Sequence, residues 1–508
     1  MKGYIKAPLI VLMLILAALI VNNLQSQPTR AAGPLYVKPG GSDSNDCLGS
    51  TTACATINGA LNKPGFVAGD SILVATGVYT GTGTEVVLLN KSTTLSGGWD
   101  AGFIIQSGTS IIDGQGARRG ITVNSGVTAI MERFAVQNGS ASDGGGILNA
   151  GTLTLHNSAV SDNTSTFFGG GIWSNATLTL DDSIVSGNET SSSTGGSGGG
   201  IWNSGTLTLS SSIVSNNISA WNSGGIYNRR SLTMNNSAVN GNTARTIGGV
   251  NNDATYGGGT AILNKSTVNS NTASSNGGGI SNSGVMTLNN STVSGNIASG
   301  DNADHGGGIY NGGTMTLNNS TVSDNRLVNP SQSITDRGGG GISSLGTFNL
   351  NNSTISGNSC SNLSCAGGGL YNFYGGPYGN NYMTLQNTIV AGNAASSGPD
   401  CTGYVNSAGY NLIGDTLDCT FSASASDLLN VTPRLFPLTG SPAYHPLLPG
   451  SPAIDAGNPA GCTDSLGNPL TTDQRGVSRT GRCDIGAYEF DPNNDPLTYI
   501  YLPVVLRQ

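Results

Sequence analysis

Charge is scarce in this chain. Only 9% of its 508 residues are Asp, Glu, Lys or Arg, and 6% are aromatic. Its 20 basic and 28 acidic residues leave a formal charge of −8. A phosphate polymer is held by clustered cations, so nucleic acid is excluded as a partner. The three histidines are scattered and no two cysteines show Cys-x-x-Cys spacing, which argues against a structural zinc site. No ten-residue stretch in residues 155–393 carries an apolar stripe at helical spacing. Long apolar runs are missing too, apart from residues 9–21, which follow Lys2 and Lys6. That run is short for a membrane span and right for a signal-peptide core. Cleavage after Ala31 would place Thr29 and Ala31 at the two small-residue positions, so residues 1–31 are expected to be a signal peptide. An uncleaved anchor is the alternative.

What the chain does have is a repeat. Taking the second leucine of Thr-Leu-Thr-Leu as a marker, its copies are Leu155, Leu180, Leu209, Met234, Leu263, Leu288, Leu317, Leu350 and Leu385. They lie 25, 29, 25, 29, 25, 29, 33 and 35 residues apart. Eight residues after each marker stands an asparagine, from Asn163 to Asn393, and five after each a valine or isoleucine, from Val160 to Val390. A unit of this length cannot bury its own apolar face, so copies must stack. Within a unit the apolar residues alternate with polar ones over short runs, and glycine and asparagine break the runs. Three short strands per turn of chain are expected, stacked in parallel.

Parity places Leu153 and Leu155 inside and Thr152 and Thr154 outside. Ile147, Ile172, Ile201, Ile226, Val250, Ile280, Ile309, Ile342 and Leu370 form a second interior row. The asparagines should form a ladder at a turn, with side-chain amides bonded coil to coil. Coil length varies mainly between the ladder asparagine and the next row isoleucine, so insertions emerge along one edge, often the binding face of a solenoid. The longest insertions are residues 326–337 and 372–381.

The fold class read from this is all-β, a right-handed single-stranded parallel β-helix over residues 72–430. An N-terminal cap spans residues 32–71, with a short helix at residues 56–61, and a C-terminal cap spans residues 431–490. A tail occupies residues 491–508. Eight cysteines form four close pairs, Cys47/Cys54, Cys360/Cys365, Cys401/Cys419 and Cys462/Cys483. Sequence does not fix their connectivity, but local pairing suits an exported protein, with Cys462 and Cys483 tying the C-terminal cap.

The Gly-Gly-Gly-Ile and Ser-x-Val-Ser-x-Asn units resemble the right-handed β-helices of the pectin-lyase-like superfamily, and most of all the repeats of bacterial polymorphic outer-membrane proteins. Residues 451–457 (Ser-Pro-Ala-Ile-Asp-Ala-Gly), 473–476 (Asp-Gln-Arg-Gly) and 483–489 (Cys-Asp-Ile-Gly-Ala-Tyr-Glu) resemble the choice-of-anchor Q domain. The resemblance implies export and a secreted or cell-surface location. The usual anchors are missing: residues 502–506 lack the Thr-Gly of a sortase site, and no basic tail follows. The superfamily includes polysaccharide lyases and hydrolases, and its lyases use a calcium-binding acidic cluster with a basic proton acceptor.

Few residues here offer such chemistry. Asp162 and Asp324 share a repeat position but lie six coils apart, and glycine fills that slot in five other copies, so they read as turn residues. Asp181 and Asp182 read as a solvated pair, and His156 and His445 as incidental. Asp301, Asp304 and His305 could offer calcium ligands, but their spacing matches no calcium loop, and a polar loop is expected. No cofactor is expected. The repeated Thr-x-Thr, as in Thr152/Thr154, survives in only four of nine coils, too few for a flat ice-binding array.

The best clue is a column of aromatics. The residue after the row isoleucine is Trp173, Trp202, Tyr227, Tyr310 or Tyr371 in five of nine copies. These rings should face outward beside the insertion edge, either as a platform for sugar rings or as a ladder that stabilises neighbouring coils. The expected function is an adhesin-like or glycan-binding surface without catalysis, with a polysaccharide or cell-surface glycan as partner, in a monomer that meets membranes only through an unidentified anchor. A polysaccharide lyase or glycoside hydrolase is the alternative, and a structural spacer the third reading.

Overall fold

The computed structural model describes residues 33–255, 257–300, 305–328, 338–361, 365–372 and 382–492. The expected signal peptide, Asp301, Asp304, most of the two long insertions and residues 493–508 lie outside the described residues.

Each of the nine coils between residues 119 and 361 carries four strand segments, one more than the sequence pattern suggests. In one coil these are Ile280–Asn282, Val285–Asn289, Thr292–Ser294 and Ile297–Ser299. The first two adjoin in one sheet. The break between them is closed by Asn282, whose side chain accepts from the Gly284 N–H and donates to the Gly284 carbonyl, both at 3.2 Å. A side chain that satisfies local backbone competes with the strand ladder, which is why the strand splits here.

Within the stack the strands pair in parallel with their equivalents on the next coil, so like residues stack; Thr439–Gly440 and Ala443–Tyr444 form a separate antiparallel pair. Leu288 faces Leu317, Ile280 faces Ile309 and Val293 faces Val322. Among the described residues this builds parallel sheets of 26, 14 and 9 strands, the first carrying two segments per coil. The result is a right-handed parallel β-helix. All nine marker residues and all nine residues of the isoleucine row are buried. The marker column also extends below the repeats. Leu35, Ile72, Leu95, Met131 and Leu155 stand in register, although the sequence over residues 72–139 looks irregular.

Two turns per coil use left-handed backbone. The residue seven after the marker has φ between 54° and 74° in all nine copies, including Asp162 and Asp324. The residue two after it has φ between 45° and 52°. Glycine, Asn and Asp take such angles most readily and fill fifteen of these eighteen positions; Ser211, Lys265 and Ser270 are the others.

Polar ladders line the corners. Asn271 donates its N–H and its side-chain amide to Oδ1 of Asn296, at 3.0 and 2.9 Å, and also reaches the Val239 carbonyl. The ladder ends at Asp400, whose Oδ1 takes both bonds from Asn393. A serine ladder runs beside it: Ser291 N–H donates to Ser320 Oγ at 3.1 Å, and Ser291 Oγ to the Asn289 carbonyl. Buried polar groups are tolerated here because they are paired.

At the N-terminal end, the helix α1 (Ile57–Leu61) begins at Thr56, whose hydroxyl accepts the Gly59 N–H at 2.8 Å, and it buries Ile57, Ala60 and Leu61. At the other end, residues 431–492 fold back along the flank of the stack, over the second sheet. Gln474 bridges two coils, accepting from Thr321 Oγ1 at 2.6 Å and donating to Thr292 Oγ1 at 2.9 Å. Ala487 N–H reaches Thr354 Oγ1, and Asn458 N–H reaches Asn387. Leu447, Ala453, Ile485 and Tyr488 pack on Ile389 and Leu412. Within this segment Arg479 pairs with Glu489 at 3.0 Å, both nearly sealed from solvent, and Arg475 pairs with Asp473 and lies 3.7 Å from the Tyr488 ring centre. Ala453, Gln474, Ile485, Ala487 and Tyr488 of the three C-terminal motifs are thus among the residues that dock this segment on the stack.

Disulfides join Cys47–Cys54, Cys360–Cys365, Cys401–Cys419 and Cys462–Cys483, leaving no free cysteine. Four such bonds suit a protein that folds in an oxidising compartment. No helix among the described residues is long and apolar enough to cross a membrane.

Candidate ligand-binding surface

The aromatic column lies where the third sheet turns into the Gly-Gly-Gly-Ile segment. Trp173, Trp202 and Tyr227 are in register on three consecutive coils, and because Ile172, Ile201 and Ile226 point inward these rings point outward. The two indoles lie face to face, with ring centres 5.4 Å apart and planes 2° from parallel. Each therefore covers a face of the other, and the wall offers ring edges along its length.

Phenylalanines reach this corner because the strand Thr164–Phe168 is longer than its equivalent Glu189–Thr190 on the next coil. Phe168 tilts against Trp202 at 5.4 Å, and Phe167 is 45% exposed. Trp202 is only 6% exposed, held between Trp173, Phe168 and the Arg229 guanidinium at 5.7 Å. It supports the wall more than it presents it. Trp221, on the same insertion edge, is half-buried, with the exposed Arg245 guanidinium 4.6 Å from its ring centre. Three of the chain's four tryptophans, at 173, 202 and 221, thus belong to this edge. Tyr227 donates its hydroxyl to Asp253. Burial would push the Asp253 carboxyl up, but hydrogen bonds from Thr255 and Tyr227 and the Arg229 charge hold it below the ordinary carboxylate range.

The column is interrupted at Asn251 and Ser281, resumes at Tyr310, is interrupted again at Ser343 and ends at Tyr371. His305 joins those two: its ring stacks on Tyr310 at 5.6 Å and on Tyr371 at 6.4 Å. Its place is in an aromatic stack. Tyr371 is 6% exposed and Tyr310 half-buried.

One cluster escaped the sequence reading. His156 and Asp181 occupy the slot after the marker on adjacent coils, and His156 Nδ1 lies 2.9 Å from Asp181 Oδ2. With Asp182, one ligand atom from each residue lies within 4.8 Å of the others, a donor set that suits a divalent cation. Comparing that slot coil by coil gives the signal: Glu132, His156 and Asp181 in succession, then Ser210, then Asn235, Asn264, Asn289, Asn318 and Asn351, whose amides form a second, outer ladder at 2.9–3.0 Å. The three residues are at least partly exposed on an open wall.

Ser323 Oγ and His445 Nε2 stand 2.8 Å apart, and His445 Nδ1 meets the Phe436 carbonyl. This has the form of a nucleophile and its base. Ser323, however, is fully buried beneath the C-terminal segment, where no substrate reaches it, and burial holds His445 below the ordinary histidine range. The pair is a docking contact.

No family model matches the sequence, and no curated protein matches it. A search of solved structures returns the crystal structure of pectate lyase Pel9A, with a TM-score of 0.37 and 14% identity, covering 91% of this chain and 98% of that one.

Proposed function

We propose that this protein is exported through its N-terminal signal peptide and presents an extended, non-catalytic surface that binds polysaccharide or cell-surface glycan, in the manner of an adhesin. The observation that carries this is the insertion edge around Trp173, Trp202 and Trp221. There Phe167, Phe168 and Tyr227 join the indoles, and two guanidiniums lie on their rings. Tryptophan, tyrosine and arginine dominate the energy of binding surfaces because they offer large, stiff contact area with a polar handle. An apolar sugar face packs on the exposed Phe167 ring and along the indole edges, and the indole and guanidinium N–H groups donate to hydroxyls. In an otherwise charge-poor wall of Ser, Thr, Asn and Gly, this edge is the place where affinity concentrates.

A glycan array with the secreted protein tests the reading. Binding to at least one glycan class is expected, and Phe167→Ala with Trp173→Ala should weaken it at least tenfold while the far-ultraviolet circular dichroism stays unchanged. A silent array, or equal binding by the variant, counts against it. The same glycans are tested in parallel for cleavage, and new chain ends released by the wild-type protein would favour the lyase or hydrolase reading instead.

A further inference from the structure

A cavity of about 360 Å³ lies between the N-terminal cap and the first coils. It exists because of how α1 is attached. The strand Glu85–Leu89 pairs with a strand on one edge only, Arg119–Val123. On its other edge Asn58 of α1 stands in for a partner: Nδ2 donates to the Val86 carbonyl and Oδ1 accepts the Leu88 N–H, both at 3.0 Å. A side chain that bridges in this way leaves more room than a strand would. The loop of residues 80–84 closes a second side. Gly81 approaches the strand so nearly that a Cβ there would stand 2.9 Å from Val86 Cα. Asp43 forms a third side, its carboxylate accepting the Ala55 and Thr56 N–H groups and the Thr56 hydroxyl.

The lining is of two kinds. Leu61 and Val86 are buried and Leu88 is half-buried, and these give an apolar surface. Asn62, Thr80, Thr82 and Asn90 are exposed, and their side chains bond no other described residue. Amides and hydroxyls each donate and accept, as does every hydroxyl of a sugar. The two carboxylates in the lining are already occupied, Asp43 as above and Glu85 by the Thr84 and Thr122 hydroxyls. No lysine or arginine lines the cavity, so a phosphate, sulfate or uronate would face both carboxylates without a counter-charge. The volume stands near the lower end of the range for small-molecule sites, about 300–1,000 Å³, which suits one ring and not a chain.

We propose that this cavity binds one neutral sugar ring, free or at the end of a glycan. The C–H face of the ring lies on Leu61, Val86 and Leu88, and its hydroxyls exchange hydrogen bonds with Asn62, Asn90 and the two threonines. This site does not rest on the reading of the aromatic edge. It is built from residues 43–90, whereas the edge is built from residues 167–253. The two differ in what they take: the edge accepts a chain along its side, and the cavity accepts a single residue.

Saturation-transfer difference NMR on the secreted protein tests this, with glucose, galactose, mannose, N-acetylglucosamine and glucuronate as probes. At least one neutral sugar should give a saturable signal, and glucuronate none. Asn62→Ala with Asn90→Ala should weaken that binding at least tenfold in protein whose circular dichroism is unchanged, since both side chains are exposed and bond nothing else described. Phe167→Ala with Trp173→Ala should leave it unaltered, which separates this site from the aromatic edge. An oligosaccharide ending in the bound sugar tells the two sources apart: retained binding assigns the chain end, and lost binding the free sugar. Silence from every neutral sugar would overturn the proposal, as would binding of glucuronate at equal affinity. So would undiminished affinity in the asparagine variant, or loss of binding in the edge variant.

Discussion

Asn242 donates both its backbone N–H and its side-chain amide to a single atom, Oδ1 of Asn271, at 3.0 and 2.9 Å. The side-chain nitrogen also bonds the Val214 carbonyl, so each rung ties together three coils. Replacing Asn271 with Ala removes the acceptor for two donors in a site closed to water. It also removes the bonds that the Asn271 amide makes to Val239 and Asn296. Unsatisfied buried donors cost about 1–3 kcal/mol each. A loss of about 3 kcal/mol is expected, read as a lower urea midpoint. A midpoint equal to the wild type would show that the ladder is decoration.

The interior column makes a second prediction. Leu288 is completely buried, between Leu263 and Leu317. Leu288→Ala should cost about 2–5 kcal/mol through the cavity it leaves. Leu288→Asp should cost more, because an unpaired charge would enter a dry interior. Equal stability of the two variants would mean that the site admits water.

How much of this was legible in the sequence depends on chain distance. The marker column, the isoleucine row and the asparagine ladder are properties of one coil repeated, so a single spacing reveals them. The helix at Thr56 shows through its cap, a local signal. The splitting of the strand at Asn282 was hidden because it depends on a side chain bonding two residues away, in a pattern that still alternates like a continuous strand. The His156–Asp181 pair shows only when the slot after the marker is aligned from one coil to the next, because its two members lie 25 residues apart. The docking of residues 431–492 is different in kind. Gln474 meets Thr321 across 153 residues, with no periodicity to announce it. The same holds for Ser323 and His445, which look incidental until the segment folds back.

The Cys462–Cys483 bond yields a third prediction. It closes a loop of about 20 residues within the docked segment, and Asn387 of the stack donates toward Cys462 Sγ. Replacing both cysteines with alanine should lower the stability of this segment by about 3 kcal/mol. Protease sensitivity should rise in residues 460–485 first and leave the repeats resistant. Simultaneous cleavage in both regions would mean that segment and stack unfold as one unit.

The last prediction concerns pH. Burial raises the Asp484 carboxyl to about 7, although its oxygens accept the Asp455 and Phe490 N–H groups, and Glu489 pushes it further while Arg479 pulls it back. A carboxyl raised in the folded state binds a proton there before it does in the unfolded chain. Its contribution is therefore complete below the ordinary carboxylate range and is lost as pH rises toward 7. Buried His445 acts in the opposite sense. Burial lowers its pKa, despite the Phe436 carbonyl and Asp324, so acidification below the ordinary histidine range takes stability from the same segment. In the wild type the two oppose each other between about pH 4 and 7. Asp484→Asn removes the first and leaves the second. The melting temperature of the variant should therefore rise more steeply, or fall less, from pH 4 to pH 7 than that of the wild type, by up to about 1.4 kcal/mol per pH unit in stability. Parallel profiles for the two proteins would show that Asp484 is charged throughout and that its burial is relieved by water.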